Sequence, residues 1–249
     1  MLPTAASLEG QPVPQVTFKA RPDNQWRDLT TDQLFKGKTV VVFSLPGAYT
    51  PTCSSTHLPR FNELAPVFRD NGIDDIVCFS VNDAFVMNEW KSGQDADDIT
   101  FVPDGNGDFA RAMGMLVDKR ELGFGMRSWR YSMLVRDGII EKIFIEDDGD
   151  EEDDPFHVSD ADTMLRHINP EARAPEPIVM FSRPGCPFCA RAKAALAERR
   201  LRYTDISQDK RINTSVLRAV SGHLTWPQVF IGGRLVGGAD ELDAYLSNA

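Results

Sequence analysis

The chain has 249 residues, of which 42% are hydrophobic and 26% charged, values that fit one or two globular domains and exclude a disordered chain. Its net charge of −10 argues against binding to nucleic acid or to a membrane surface, since both need clustered positive charge. No apolar run approaches the roughly 20 residues of a membrane span, and no export signal is recognised, so we expect a cytoplasmic protein.

The charge is divided unevenly along the chain. Residues 1–170 carry a net charge of −13, whereas residues 171–249 carry +3. This contrast predicts two modules. Four cysteines are too few for a disulfide framework at this length, so in a reducing compartment they are expected to be catalytic or metal-binding.

The first module alternates strand and helix patterns, which predicts an α/β fold. Strands are predicted at 39–45, 75–81, 130–135 and 139–145. Helices are predicted at about 52–68, at 84–91 and at 159–168, the last with Ser159 as its N-cap. The acid-rich run 146–154 is interpreted as a solvated loop. A metal site is the alternative there, but the acid spacing of a calcium loop is absent, and no metal is predicted.

A segment with three prolines in nine residues, 169–177, predicts a stiff linker between a domain at 1–168 and a second domain at 178–249. The second domain is predicted to contain alternating strands and helices. Its strands are placed at 178–182, 202–205, 228–231 and 234–236, and its helices at 187–199, 207–220 and 239–246.

Cys186 and Cys189 form a C-x-x-C pair directly after a predicted strand and at the start of a helix. The free amides and dipole of a helix N-terminus stabilise a thiolate at the first cysteine. The second cysteine lies one turn further, close enough to attack a mixed disulfide. Further ligands for zinc are lacking, so redox chemistry is favoured over a metal site or a buried structural pair.

Cys53 also lies in the first turn of a predicted helix, after the turn Pro46-Gly47. Thr50, one turn earlier, offers a hydroxyl to the same region. From the residues alone, Cys53 is either a nucleophile or a packed thiol.

Three segments of the second domain, in order, resemble glutaredoxin: FSRPGCPFC (181–189), TWPQVFIGG (225–233) and GGADEL (237–242). The resemblance implies a small thioredoxin-like domain that uses glutathione. It implies a cis peptide before Pro227, with the main chain of Trp226 binding the glutathione cysteine. Gly238 and Asp240 would hold the γ-glutamyl end, and Arg183 would hold the glycine carboxylate.

The first domain resembles the type-five peroxiredoxins, through PGAYTPTCSSTHLPRF (46–61), VCFSVND (77–83) and RYSMLV (130–135). A peroxiredoxin followed by a glutaredoxin resembles the bacterial hybrid fusion, two thioredoxin-like domains in tandem. The resemblance implies that Cys53 attacks the peroxide and that Arg130 stabilises the sulfur and the developing charge. Thr50 would position the peroxide, Pro46 would shield the site from water, and the Gly47 amide would help to cradle the substrate.

His57, one turn after Cys53, is interpreted as an orienting residue rather than a base. Cys78 lies inside a predicted strand and is interpreted as an inert buried thiol, with a resolving role as the alternative. Residues 119–170 lack the cysteine with which some type-five relatives resolve the oxidised thiol. An external thiol is therefore expected, supplied by glutathione and the attached domain.

The sequence predicts a glutathione-dependent peroxidase that acts on hydrogen peroxide and small alkyl hydroperoxides, with glutathione as co-substrate and no tightly bound cofactor. We expect a homo-oligomer in which the second domain serves a neighbouring subunit. The alternatives are a thiol–disulfide oxidoreductase that recruits glutathionylated proteins, and a redox sensor or holdase chaperone.

Overall fold

The computed structural model describes residues 2–147, 155–199 and 201–248. The chain divides into two compact units, Met1–Ala174 and Pro175–Ala249, and the division falls inside the proline-containing segment 169–177. No helix within the described residues is long and apolar enough to cross a membrane.

The first unit is built on a five-stranded sheet with helices against it. Its described strands are β1 Thr17–Ala20, β2 Arg27–Thr30, β3 Thr39–Leu45, β4 Asp75–Ser80, β5 Thr100–Pro103, β6 Leu116–Asp118, β7 Met126–Ser128, β8 Tyr131–Arg136 and β9 Ile139–Ile145. Its α-helices are α1 Ala5–Leu8, α2 Thr31–Phe35, α3 Leu58–Asp70, α4 Ala84–Gly93, α5 Asp108–Ala112 and α6 Ala161–Ile168. A π-helical turn, Cys53–His57, leads directly into α3.

The main sheet has the strand order β5-β4-β3-β8-β9, with β3, β4 and β5 parallel and β8 antiparallel to β3. The central strand β3 is apolar and buried on both faces. Val41, Phe43 and Leu45 enter one core, whereas Val40 and Val42 enter the other. Strand β3 is hydrogen-bonded to β4 on one side and to β8 on the other. The position of its carboxyl end, from which the loop to Cys53 begins, is therefore fixed by the sheet.

The second unit is a four-stranded sheet with the order β11-β10-β12-β13. Its strands are β10 Ile178–Ser182, β11 Thr204–Ser207, β12 Gln228–Ile231 and β13 Arg234–Gly237, and its helices are α7 Pro187–Glu198, α8 Thr214–Ser221 and α9 Ala239–Asn248. Strands β10 and β11 are parallel, and the other pairings are antiparallel.

Two predicted helix starts in the sequence were wrong. The N-cap of α6 is Asp160, whose carboxylate accepts from the Thr163 amide, while the Ser159 hydroxyl donates to Glu146. Helix α8 begins at Thr214 rather than 207, because the Asp209 carboxylate accepts from the Arg211 and Ile212 amides and holds the preceding residues in a turn. The second strand predicted for the second domain, placed at 202–205, is also shifted by two residues, since β11 spans Thr204–Ser207.

The acid-rich run is only partly described, since residues 148–154 lie outside the described ranges. Its first residue does not fit the prediction of a solvated loop: Glu146 is 2% exposed. Its carboxylate accepts hydrogen bonds from the amides of His157, Val158 and Ser159. Among the described residues there is no group of three acidic, histidine or cysteine side chains able to hold a metal.

Candidate active sites

The loop from β3 to Cys53 is held in place by groups from neighbouring loops. Pro46 and Gly47 are buried at the end of the strand. The Asn82 side-chain oxygen accepts from the Ala48 amide at 3.0 Å. A Cβ added at Gly47 would lie 3.4 Å from the Thr50 methyl and 3.6 Å from Arg127, which is ordinary van der Waals contact. Thr50 and Arg127 therefore adjoin Gly47 without leaving open space beside it.

The Thr50 hydroxyl donates to the Gly47 carbonyl at 2.9 Å. Its proton is thus engaged, and its remaining hydrogen-bonding capacity is as an acceptor. Tyr49, between them, adopts a left-handed backbone with φ of +65° and is 56% exposed. The sequence resemblance implies that Thr50 positions the peroxide, and the structure leaves its hydroxyl the acceptor role for that purpose.

Cys53 is fully buried at the start of the π-helical turn. The Arg130 guanidinium, 1% exposed, reaches it from the residue before β8, with Nη2 3.5 Å from Cys53 Sγ. A guanidinium stays positively charged even when buried, so this contact stabilises a thiolate and any negative charge that develops on an adjoining oxygen.

His57 orients the same guanidinium. Arg130 Nη1 lies 2.8 Å from His57 Nδ1, and His57 Nε2 lies 3.2 Å from the Ser159 carbonyl. A carbonyl only accepts, so Nε2 carries the proton and Nδ1 accepts from Arg130. Burial, together with the positive charge of Arg130, holds the pKa of His57 well below its ordinary value. His57 is therefore neutral, and the lone pair on Nδ1 accepts the hydrogen bond from Arg130.

Cys78 lies on β4, fully buried and paired in register with Phe43 of β3. Burial, assisted by the neighbouring charge of Cys53, raises the pKa of the Cys78 thiol well above its ordinary value. It is therefore protonated at neutral pH and lies inside the sheet. These properties favour an inert thiol over a resolving one.

The second unit places its two cysteines at the start of α7. Cys186 is the N-cap residue, and its sulfur accepts from the Cys189 amide at 3.3 Å. Burial opposes ionisation of Cys186, but hydrogen bonds from the side chain and amide of Cys189, with the charge of Arg183, hold its pKa below the ordinary value. Burial and the same hydrogen bond raise the pKa of Cys189 to about 11. The pair is therefore asymmetric, and Cys186 is the more readily ionised of the two thiols.

Residues from two further segments adjoin this pair. The peptide between Trp226 and Pro227 is cis, and the Trp226 carbonyl lies 3.7 Å from Cys186 Sγ. An open cavity of about 330 Å³ adjoins both cysteines, and its lining includes Arg183 and Lys193. This brings two cationic side chains to the cysteine pair.

Gly238 and Asp240 lie at the start of α9, and their polar groups are engaged within the unit. The Gly238 amide donates to Glu241 at 2.9 Å, and the Asp240 carboxylate forms an ion pair with Arg191. The resemblance to glutaredoxin implies a ligand-binding role for these two residues, and a role in the turn that starts a helix is compatible with it. The structure describes the role in the turn.

Sequence reasoning missed two residues that contact the segments around the Cys53 site. Arg127 donates to the Val81 carbonyl at 2.8 Å and packs beside Gly47. Glu146 organises the turn that contacts His57. Neither carries a local signal, since Glu146 begins an acidic run and Arg127 resembles any surface arginine.

Two α/β units, each with a buried cysteine at the start of a helix beside a cation, define a thiol-based oxidoreductase. The Redoxin family profile matches residues 8–165, and the Glutaredoxin profile matches residues 178–236. The chain is 56% identical to the hybrid peroxiredoxin hyPrx5 of Haemophilus influenzae over 242 residues, which cover 97% of this chain and all of that protein. A Synechocystis peroxiredoxin is also 56% identical, over 68% of this chain and 96% of its own.

Solved structures agree for the first unit. Reduced Prx3 of Vibrio vulnificus in complex with hydrogen peroxide is 37% identical, with a TM-score of 0.60 over 64% of this chain and 98% of that one. The 1-Cys peroxiredoxin of Plasmodium falciparum is 33% identical, with a TM-score of 0.61 over 64% and 97%.

The chain belongs to the hybrid peroxiredoxin family, in which a peroxiredoxin unit is followed by a glutaredoxin unit. It is an antioxidant oxidoreductase, a peroxidase that carries its own glutaredoxin unit. Both resemblances identified from the sequence, and the tandem thioredoxin-like fold they imply, are confirmed.

Proposed function

We propose that this protein is a glutathione-dependent peroxidase in which Cys53 reduces hydrogen peroxide and small alkyl hydroperoxides and Cys186 returns Cys53 to the thiolate. The observation that carries this proposal is that Cys53 has a buried cationic partner but no ready resolving thiol in its own unit. Cys78 is buried and protonated, and residues 119–170 contain no cysteine. The oxidised sulfur therefore needs a thiol from outside the unit.

In the first step the Cys53 thiolate attacks one peroxide oxygen. The S–O bond forms as the O–O bond breaks, and the other oxygen leaves as hydroxide or alkoxide and takes a proton from water. The sulfur is thereby oxidised to a sulfenic acid. Arg130 stabilises the leaving oxygen, and Thr50 accepts a hydrogen bond from the peroxide hydroxyl. The complete burial of Cys53 favours small peroxides.

Glutathione then condenses with the sulfenic acid, releasing water and leaving a mixed disulfide on Cys53. The Cys186 thiolate attacks the glutathione sulfur of that disulfide, which frees Cys53 as a thiolate and transfers the glutathionyl group to Cys186. A second glutathione thiolate attacks the glutathione sulfur of this new disulfide, which releases glutathione disulfide and frees Cys186 as a thiolate. Two glutathione molecules thus supply the two electrons that reduce one peroxide.

The site around Cys186 suits glutathione by charge. Arg183 lines the cavity beside the cysteines and would hold the glycine carboxylate. The cis peptide between Trp226 and Pro227 leaves the Trp226 main chain next to the sulfur, where it would bind the glutathione cysteine. Gly238 and Asp240 would hold the γ-glutamyl end, which requires Asp240 to exchange Arg191 for the glutathione ammonium.

A coupled assay tests glutathione dependence. Purified wild-type protein, peroxide, glutathione and glutathione reductase are mixed, with no other glutaredoxin, and NADPH consumption is followed. We expect steady turnover that depends on both peroxide and glutathione. If peroxide oxidises Cys53 but glutathione supports no turnover, the reductant is another thiol and the proposal is wrong. If Cys53 is not oxidised either, the first unit is not a peroxidase, and the docking module becomes the better account of it.

We also propose that the protein is a cytoplasmic homo-oligomer in which the glutaredoxin unit of one subunit reduces Cys53 of another. The segment 169–177, with three prolines, favours an extended connection, and tethering supplies an effective concentration in about the millimolar range. Mixing Cys53→Ser chains with Cys186→Ser chains under subunit exchange is expected to restore turnover that neither has alone and that persists on dilution. Rescue by a Cys53→Ser chain that acts only as a separate glutaredoxin would be lost on dilution. Activity no greater than the sum of the two variants would contradict transfer between subunits.

A further inference from the structure

A buried carboxylate lies at the far end of the hydrogen-bond chain that leads to Cys53. Glu146 is 2% exposed, and its carboxylate accepts from the Val158 and Ser159 amides at 3.0 and 2.8 Å and from the Ser159 hydroxyl at 2.6 Å. The other oxygen accepts from the His157 amide at 2.9 Å. Burial opposes ionisation, but these bonds, with the Ser159 hydroxyl foremost, hold the pKa of Glu146 below its ordinary value.

The main chain of Glu146 is fixed independently of its side chain. Its amide donates to the Arg130 carbonyl at 3.2 Å, and its carbonyl accepts from the Trp129 indole at 2.8 Å. The main chain of Glu146 is therefore held by Trp129 and Arg130, the two residues that precede β8. With its main chain fixed there, the side chain of Glu146 binds the turn at 157–159.

The turn at 157–159 and the preceding Phe156 contact His57 and Arg130, the two residues that lead to Cys53. The Ser159 carbonyl accepts from His57 Nε2 at 3.2 Å. This bond fixes the histidine tautomer, so that Nδ1 accepts from Arg130 and the other guanidinium nitrogen faces Cys53 Sγ. The ring of Phe156, from the same segment, lies 4.8 Å from the His57 ring and 5.4 Å from the Arg130 guanidinium carbon.

We propose that Glu146 is a positioning residue of the peroxidase site: by fixing the Ser159 turn it orients His57, and through His57 it aims Arg130 at Cys53. A buried carboxylate is costly unless its hydrogen bonds are complete, and the four donors here come from the turn that it positions. Arg130 presents Nη2 to the Cys53 sulfur while Nη1 is bonded to His57, so the orientation of its planar guanidinium depends on His57. Loosening the turn weakens the contact through which His57 holds that guanidinium.

This inference rests on the assignment of Cys53 as the thiol that reacts with peroxide, and its test needs no glutathione. The rate of Cys53 oxidation is measured in a single turnover with hydrogen peroxide, in wild type and in Glu146→Gln. Glutamine keeps an oxygen that accepts from Ser159, but its NH₂ group replaces the oxygen that accepts from the His157 amide. Two hydrogen-bond donors then face each other, and that bond is lost. We expect oxidation to slow by roughly tenfold, the effect of one hydrogen bond to a charged group. Glu141→Gln removes an exposed acid from neighbouring β9 and is expected to react within about twofold of wild type.

A double-mutant cycle separates positioning from general stability. In an Arg130→Ala background, Glu146→Gln is expected to slow oxidation by less than about twofold, because the group that it aims is gone. A merely structural role would remove the same factor in both backgrounds, and that result would overturn the inference, as would a Glu146→Gln rate equal to wild type. If Glu146→Gln does not fold, Ser159→Ala removes a single bond and is expected to slow oxidation about threefold, again only when Arg130 is present.

Failure of the wild type to be oxidised at Cys53 would instead refute the proposed peroxidase chemistry. The two failures are therefore distinguishable in one experiment.

Discussion

Replacing Arg130 with alanine is expected to slow the reaction of Cys53 with hydrogen peroxide by about 10²–10³-fold. The buried guanidinium is the positive group placed 3.5 Å from the sulfur, and its loss also leaves His57 Nδ1 without the donor 2.8 Å away. Arg130→Lys keeps the charge but replaces the planar fork with a single ammonium, which cannot bridge His57 and Cys53 in the same way. We expect an intermediate rate for lysine.

The measurement is the single-turnover rate of Cys53 oxidation, with thermal unfolding as the check on folding. Arg136→Ala is the matched control, because Arg136 ends the strand that Arg130 precedes and forms an exposed ion pair with Glu141. Its rate should equal that of wild type. An Arg130→Ala protein that folds and reacts at nearly the wild-type rate would mean that the helix terminus alone activates Cys53.

Replacing Cys186 with serine is expected to reduce glutathione-dependent turnover roughly a hundredfold or more, because the nucleophile of the second unit is removed. The single-turnover oxidation of Cys53 should be unchanged, since Cys186 takes no part in that step. Turnover should return when a separate glutaredoxin is added. Loss of Cys53 oxidation in this variant would contradict the division of labour between the units.

Cys189→Ser is the matched control for this variant. With a pKa of about 11, Cys189 is protonated at neutral pH and buried, whereas free glutathione can discharge Cys186 directly. We expect turnover to stay within about twofold of wild type. Equal losses in the two variants would establish a mechanism that needs both thiols.

The two units bring polar and charged groups to their cysteine sulfurs by different means. At Cys53 the partner is a buried arginine side chain held by His57. At Cys186 the contributions come from the amides at the start of α7, the Cys189 thiol and the nearby charge of Arg183. A side-chain partner can be tuned by the residues that hold it, which is why a remote residue such as Glu146 can act on the first site.

The elements that the sequence located correctly are those with strong local patterns. Strand β3 is a continuous apolar run that ends in Pro46-Gly47, and its bounds agree with the prediction. The helix that follows Cys53 and the hairpin of β12 and β13 also follow local signals. In these places burial, turn residues and periodicity all favour the same structure.

The remaining features depend on contacts between distant residues. Ser159 and Asp160 are both good capping residues, and Asp160 caps α6 because the Ser159 hydroxyl is bonded to Glu146, thirteen positions earlier. The contact between Arg130 and His57 spans 73 positions. Strand β1 was missed because it is short and largely exposed, so its residues show no clear alternation of apolar and polar side chains. Its pairing with β2 depends on residues elsewhere in the sequence.

The most direct test of the relay is to trap the species that Cys186 normally attacks. Cys186→Ser protein is oxidised with one equivalent of hydrogen peroxide, then exposed to glutathione, and the modification on each cysteine is mapped by mass spectrometry. We predict a glutathionyl group on Cys53 and an unmodified Cys78. A disulfide between Cys53 and Cys78, or a Cys53 that stays a sulfenic acid in the presence of glutathione, would contradict the relay.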